Sequence, residues 1–117
     1  MFEFVTLREL CENVGVTRRA IQGYEKMGLV KANETNKYGH LLYGEVELER
    51  IKLIKLYQEL GFSLKAVKRT IDASKEVKIA ALENQVKLLK QKQQNVSNLI
   101  VIAEEMIKEL HNSNNEI

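Results

Sequence analysis

The chain has 117 residues, 44% hydrophobic and 29% charged, which argues against disorder throughout and leaves room for one small domain whose core is tight unless a second copy adds to it. Its net charge is only +2, with 12 Lys/Arg against 10 Asp/Glu in residues 1–74 and six of each in residues 75–117, so any attraction for a polyanion has to come from local clustering. No apolar run nears the ~20 residues that span a bilayer, the first residues lack the basic and apolar regions of a signal peptide, and a lone cysteine, Cys11, excludes an intrachain disulfide framework; a cytoplasmic protein without a membrane partner is expected.

Proline is absent, so helices have to end at glycines and polar turns. Thr6-Leu7-Arg8-Glu9 matches a capping box and predicts a helix start. Leu7, Leu10, Cys11 and Val14 follow at i, i+3, i+4 and i+7, one apolar stripe ending at Gly15. Thr17 reads as a second N-cap, with a helix from Arg18 to Met27 stopped by Gly28. Two short helices joined by a glycine-containing turn form a helix-turn-helix pattern. From Leu29 to Tyr43 the helical period is lost around the turn-rich stretch Asn33 to Gly39, which predicts a two-stranded wing. Glu45 to Leu60 regains helical periodicity through Val46, Leu48, Ile51, Ile54 and Tyr57 and ends at Gly61. Ser63 caps a further short helix with Leu64, Val67 and Ile71 on one face.

Residues 75–111 carry the clearest pattern. Ile79, Leu82, Val86, Leu89, Gln93, Val96, Ile100, Ala103, Ile107 and Leu110 alternate three- and four-residue steps, the a/d repeat of a coiled coil. At ~1.5 Å per residue the helix is roughly 55 Å long, too long for a domain this small to cover its seam, so a second copy of the chain is the economical partner. Gln93 is the one polar seam residue; meeting its symmetry mate in an antiparallel pair would fix register. Residues 112–117 read as a disordered tail.

Three stretches, in order, resemble the MerR family of transcriptional regulators, over about nine tenths of the chain. Residues 15–30, Gly15-Val16-Thr17-Arg18-Arg19 through Gln22-Gly23-Tyr24-Glu25 to Gly28-Leu29-Val30, are similar to the family's Gly-Val-Ser/Thr start, Arg-Tyr-Tyr-Glu and Gly-Leu-Leu. Gly39-His40-Leu41-Leu42-Tyr43 stands where the wing has Gly-Tyr-Arg-x-Tyr, and Leu60-Gly61-Phe62-Ser63-Leu64 is similar to the family's Leu-Gly-Phe-Ser-Leu. Gln22 and Gly23 replace the usual Arg and Tyr, and His40 and Leu41 replace the usual Tyr and wing Arg, so two expected cations are missing. The resemblance implies a mainly α fold: a winged helix-turn-helix domain over residues 1–74, including a helix pair, then a long antiparallel coiled-coil dimerisation helix over 75–111. It is identified with the family's short form, without an effector-binding domain, and implies a homodimer at the nucleoid that places two recognition helices in successive major grooves of a pseudo-palindromic promoter operator and acts by distorting the duplex. RNA polymerase and a protein co-regulator are further partners that it allows.

The DNA-binding candidates are Thr17, Arg18, Arg19, Gln22, Tyr24, Lys37, Tyr38 and His40. Arg18 and Arg19 begin a helix, where phosphate is favoured, and either can read guanine O6 and N7; a solvated helix face is the plainer alternative. Gln22 can pair with adenine N6 and N7. Gly23 in a helix costs about 1 kcal/mol relative to Ala, for close approach to a backbone or by drift. Tyr24 either reaches phosphate or packs in the core. Lys37 and Tyr38 contact phosphate or the minor groove, or are exposed loop, whereas Lys65 and Lys68 read as solvated surface beside the flanking backbone. Cys11 reads as a buried structural thiol, and His40 and His111 are too far apart in sequence to suggest a ligand set. No catalytic, cofactor or metal constellation is indicated, so the chain is not expected to be an enzyme. Two other readings of the same fold are a coiled-coil protein-interaction module and an architectural DNA protein with weakened base readout.

Overall fold

The computed structural model describes residues 3–113. The chain divides into two compact units, Met1–Lys78 and Ile79–Ile117. In chain order the elements are β1 (Val5–Thr6), α1 (Leu7–Val14), α2 (Arg18–Lys26), β2 (Glu34–Thr35), β3 (Leu41–Tyr43), α3 (Glu45–Glu59), α4 (Leu64–Thr70) and α5 (Lys75–Ser113).

Local chemistry sets the helix ends where the sequence marks them. Thr6 is the N-cap of α1 and both arms of the capping box form: Glu9 N–H donates to Thr6 Oγ1, and Thr6 N–H donates to Glu9 Oε1 at 3.0 Å. Donation to the carboxylate from the Thr6 amide foremost, and then from the Thr6 hydroxyl, holds the Glu9 carboxyl below the usual carboxylate range. Gly15 closes α1 at φ +75°, a left-handed conformation that L side chains rarely adopt. Thr17 and Ser63 cap α2 and α4 by accepting from Ala20 N–H and Ala66 N–H.

The core of the first unit is built from Leu10, Ile21, Tyr24, Leu29, Tyr43, Leu48, Ile51, Ile54, Tyr57, Val67 and Ile71, all buried. Tyr57 meets Phe62 edge to face at 5.2 Å between ring centroids. Val46, read with the apolar periodicity of α3, is instead 78% exposed. Two positions along a helix turn it by roughly 200°, so Val46 faces away from Leu48. Cys11 is half-buried and not enclosed.

The wing is the β2–β3 hairpin, with Glu34 opposite Leu42 and Thr35 opposite Leu41. A third strand that periodicity did not reveal, β1, adds to the other edge of β3 and makes a three-stranded antiparallel sheet in the order β1-β3-β2. The same residues that lead into the α1 cap therefore tie the chain start to the wing.

Cations from α3 and α4 satisfy carbonyls at the ends of the first two helices, where the helix dipole favours positive charge. Lys55 Nζ donates to Val14 O at 2.9 Å and Lys68 Nζ to Met27 O, while Arg50 Nε donates at 2.8 Å to Leu29 O, beyond the end of α2. Arg50 also donates twice to Asp72, at 2.6 Å from each Nη, joining α3 to the residue that follows Ile71. Lys68 is exposed, as a surface residue is, and its amine also caps the end of α2.

α5 is a single helix of 39 residues without a buried residue. It runs to Ser113, two residues past the expected helix end, so Asn112 and Ser113 are helical where a disordered tail was read; the remainder of that tail, 114–117, lies outside the described residues. No helix among the described residues is long and apolar enough to cross a membrane.

Candidate nucleic-acid interface

α2 presents two opposite faces because its apolar positions are Ile21 and Tyr24. With those two buried, Arg18, Arg19 and Gln22 are all exposed. Arg18 and Gln22 are four positions apart and lie one above the other. The result is a polar strip, two guanidinium groups and one carboxamide, starting at the Thr17 cap. Among the described atoms, Thr17 spends its hydroxyl on Ala20 N–H at 3.0 Å, so its part is to start the helix that carries the arginines. Gly23 has room for a methyl group, since an added Cβ meets only Leu64 Cδ1 at 3.9 Å. No backbone of this chain among the described residues comes close enough to require a glycine here.

Tyr24 is corrected as a candidate contact residue. Its ring is 2% exposed and its hydroxyl donates to Gln58 Oε1 at 2.7 Å; burial raises its pKa. The helical period that turns Arg18 and Gln22 outward turns Tyr24 into the core.

The wing tip is organised by Asn36. Its Oδ1 accepts from Tyr38 N–H at 2.9 Å and His40 N–H at 3.0 Å, and Gly39, at φ +81°, lets the chain reverse. That turn displays Lys37, Tyr38 and His40 together. Tyr38 is 71% exposed, Lys37 Nζ sits 5.1 Å from its ring centroid, and the His40 ring is 6.4 Å away.

Wing and α2 are held to each other by a buried tie. Tyr43 of β3 is fully buried, and its hydroxyl donates to the Glu25 carboxylate of α2. Burial first, then the Glu25 hydrogen bond and charge, push the Tyr43 pKa well up, so the phenol keeps its proton. A cleft of about 510 Å³ lies between the start of α1, the start of α2 and the wing, lined by Leu7, Arg8, Arg18, His40 and Leu41 among others. A larger hollow of about 720 Å³ behind the wing holds Glu25 and Glu34 against Lys31 alone and offers an anion little.

The structure therefore brings Arg18, of the candidates on α2, and His40, of the candidates on the wing, to one cleft. Arg19 and Gln22 continue the exposed strip outside its lining, and Lys37 and Tyr38 stand at the wing tip. Arg8 is a lining residue that sequence reasoning passed over. Its signal was available: a cation in the first turn of α1 and off the Leu7–Leu10–Cys11–Val14 stripe.

On α5, every proposed seam residue lies within the helix: Ile79, Leu82, Val86, Leu89, Gln93, Val96, Ile100, Ala103, Ile107 and Leu110. Ile100 and Ile107 are 53% and 54% exposed, so at those positions the stripe is not covered by the described residues. Leu99, Ile102 and Met106 are also exposed and lie off the seam at i, i+3 and i+7. They widen the apolar surface near the helix end beyond what the a/d repeat alone indicated.

The family model for the MerR HTH family regulatory protein matches residues 5–74, and the model described as MerR, DNA binding matches residues 48–112. The HTH-type transcriptional activator mta of Bacillus subtilis (strain 168) is 29% identical over 94 residues, which are 80% of this chain and 37% of that protein. The chain thus spans little more than a third of the length of that relative. A crystal structure of a MerR-family transcriptional regulator from Bacillus cereus superposes with a TM-score of 0.78 at 26% identity, covering 92% of this chain and 82% of that one. The structure of HiNmlR, a MerR family regulator lacking the sensor domain, bound to promoter DNA, has a TM-score of 0.68 at 24% identity over 84% of this chain and 79% of that one; at that identity the likeness is one of fold.

Proposed function

The chain belongs to the MerR HTH family of regulatory proteins, and from that premise we propose that it regulates transcription as a homodimer on a pseudo-palindromic promoter operator. The family is one of DNA-binding regulators, not of enzymes. The observation that carries the proposal is the exposed strip Arg18–Arg19–Gln22 at the start of α2. A helix start in the major groove presents such side chains to base edges: arginine to guanine, glutamine to adenine. Lys37, Tyr38 and His40 at the wing tip flank that strip, where they meet phosphate or the minor groove. That HiNmlR is seen bound to promoter DNA supports the same use of a shared fold.

The proposed dimer forms along α5 in antiparallel fashion. Support comes from the uncovered a/d stripe and from Gln93, close to the middle of the seam, which an antiparallel pair sets against its own copy. Residues 1–74 then act as the DNA-binding part and 75–111 as the spacer that fixes the distance between two recognition helices. Distortion of the duplex, contact with RNA polymerase or a protein co-regulator, and a cytoplasmic place at the nucleoid belong to the same proposal.

The test is recovery of genomic DNA fragments by the purified protein at physiological salt, with the double change Arg18→Ala/Arg19→Ala as the contrast. One short palindrome is expected, and the double variant should weaken binding to every duplex and flatten its dependence on salt. Recovery of DNA without sequence preference would turn the reading toward an architectural protein. Failure to retain any DNA would turn it toward a protein-binding module.

A further inference from the structure

The cleft between α1, α2 and the wing draws hydrogen-bond donors from three separate elements: the Arg8 guanidinium, the Arg18 guanidinium and the His40 imidazole. No carboxylate is among its lining residues. Glu9, the nearest acid in sequence to Arg8, has its Oε1 engaged by Thr6 N–H and Thr6 Oγ1. The remaining walls include the apolar side chains Leu7 and Leu41. At about 510 Å³ the cleft exceeds what a free phosphate ion fills and suits a phosphodiester together with a flanking sugar, whose carbons pack on leucine while its oxygens face the cations. His40 is the one aromatic ring among the lining residues, and no Phe, Tyr or Trp stands there as a platform for a stacked base.

We propose that Arg8 is a phosphate-contacting residue of the DNA interface and that the Arg8–Arg18–His40 cleft seats one backbone phosphate of the bound duplex in each protomer. The inference rests on the DNA-binding reading above and adds α1 to the surface that reading placed on α2 and the wing. Arg8 does little for the fold. Among the described residues it pairs with Glu12, with Nε 3.3 Å from Oε1 and side chains 83% and 66% exposed, and pairs that exposed contribute little to stability. Because the guanidinium is a planar fork of five donors, contact through Nε leaves geometry for a phosphate on its other edge. A phosphate contact carries no sequence information by itself, so the role of Arg8 is affinity and placement of α1 against the backbone.

The experiment is fluorescence anisotropy with the full chain and two labelled duplexes, the one best recovered from the genomic selection and a scrambled duplex of the same composition, across a salt series. Arg8→Ala should weaken binding to both probes by the same factor, about tenfold, and reduce the slope of log affinity against log salt by about one unit per protomer. Arg8→Lys keeps the charge and should keep the slope. Glu12→Ala should bind as tightly as the unchanged protein or more tightly, because it removes the acid that competes for Arg8. If Arg8→Ala matches the unchanged protein in affinity and slope while Arg18→Ala/Arg19→Ala loses binding, the Arg8 assignment is wrong and the DNA reading stands. Parallel loss of affinity and of melting temperature in Arg8→Ala and Glu12→Ala makes Arg8 a structural partner of Glu12 and overturns the assignment. Absence of binding by the unchanged protein to either duplex removes the DNA reading and this inference with it.

Discussion

The two compact units satisfy the same kind of sequence pattern in opposite ways. In the first, the apolar positions of α2, α3 and α4 close on one another: Ile21, Ile51, Ile54 and Val67 have no exposed surface. In the second, α5 repeats apolar residues more regularly than any other helix and buries none of them. Periodicity predicts that a helix has a face to hide, and it is silent on whether the cover comes from the same chain. Helix length decides. A short helix finds its cover among neighbouring elements, whereas the 39-residue α5 has no buried residue, and the proposal above gives its cover to a second copy.

The largest expected effect would break that contrast directly. Ile51→Ala, in the closed core, should lower unfolding stability by about 2–5 kcal/mol, with a urea midpoint that shifts equally at low and high protein concentration. Ile100→Ala on α5 should instead raise the dimer dissociation constant and make the midpoint more dependent on protein concentration. An Ile100→Ala loss that is as large and indifferent to concentration would mean that α5 is stabilised within one chain.

A smaller effect, of opposite sign, lies at Gly23. Since a Cβ there meets only Leu64 Cδ1 at ordinary contact distance and the backbone is helical, Gly23→Ala should stabilise the first unit by roughly 0.5–1 kcal/mol in thermal or urea unfolding. A loss of stability would show that α2 is packed more tightly than the contrast between units requires.

The least effect concerns the Arg50–Asp72 pair near the end of the first unit. Hydrogen bonding from Arg50 holds the Asp72 carboxyl below its ordinary value of 3.8. A depressed carboxylate stabilises the fold above its unfolded-state pKa, and the contribution is lost as pH falls through the lower folded-state value. The Asp72 side chain is 70% exposed, so solvent limits the contribution to about 0.2–1 kcal/mol. Asp72→Asn should therefore be less stable than the unchanged protein at neutral pH, with the gap closing below pH 3.8 and shrinking in high salt. A gap that stays constant with pH would assign the effect to packing and not to charge.

Local rules made much of the fold legible. The Thr6–Glu9 capping box, the Thr17 and Ser63 caps and the outward strip Arg18–Arg19–Gln22 depend on residues within four positions of one another. Errors arose where a side chain's fate was decided across the fold. Tyr24 was a candidate phosphate contact until Gln58, 34 positions away, took its hydroxyl. Lys68 is exposed as its reading had it, but its cap on Met27 O, 41 positions back, has no local signal. β1, only two residues long, is too short for an alternating pattern and exists because Tyr43 and Leu42 lie opposite Val5 and Thr6.

By itself the sequence determined the helices, their caps, the wing, the family and the apolar seam of α5, because backbone capping and helical spacing act between near neighbours along the chain. Only the tertiary structure decided that Arg8, Arg18 and His40 share one cleft, that Glu25 anchors the wing through Tyr43, and that cations from α3 and α4 close the ends of α1 and α2. Those relations join residues separated by 10 to 41 positions, and their energies exist only once packing has brought the elements together.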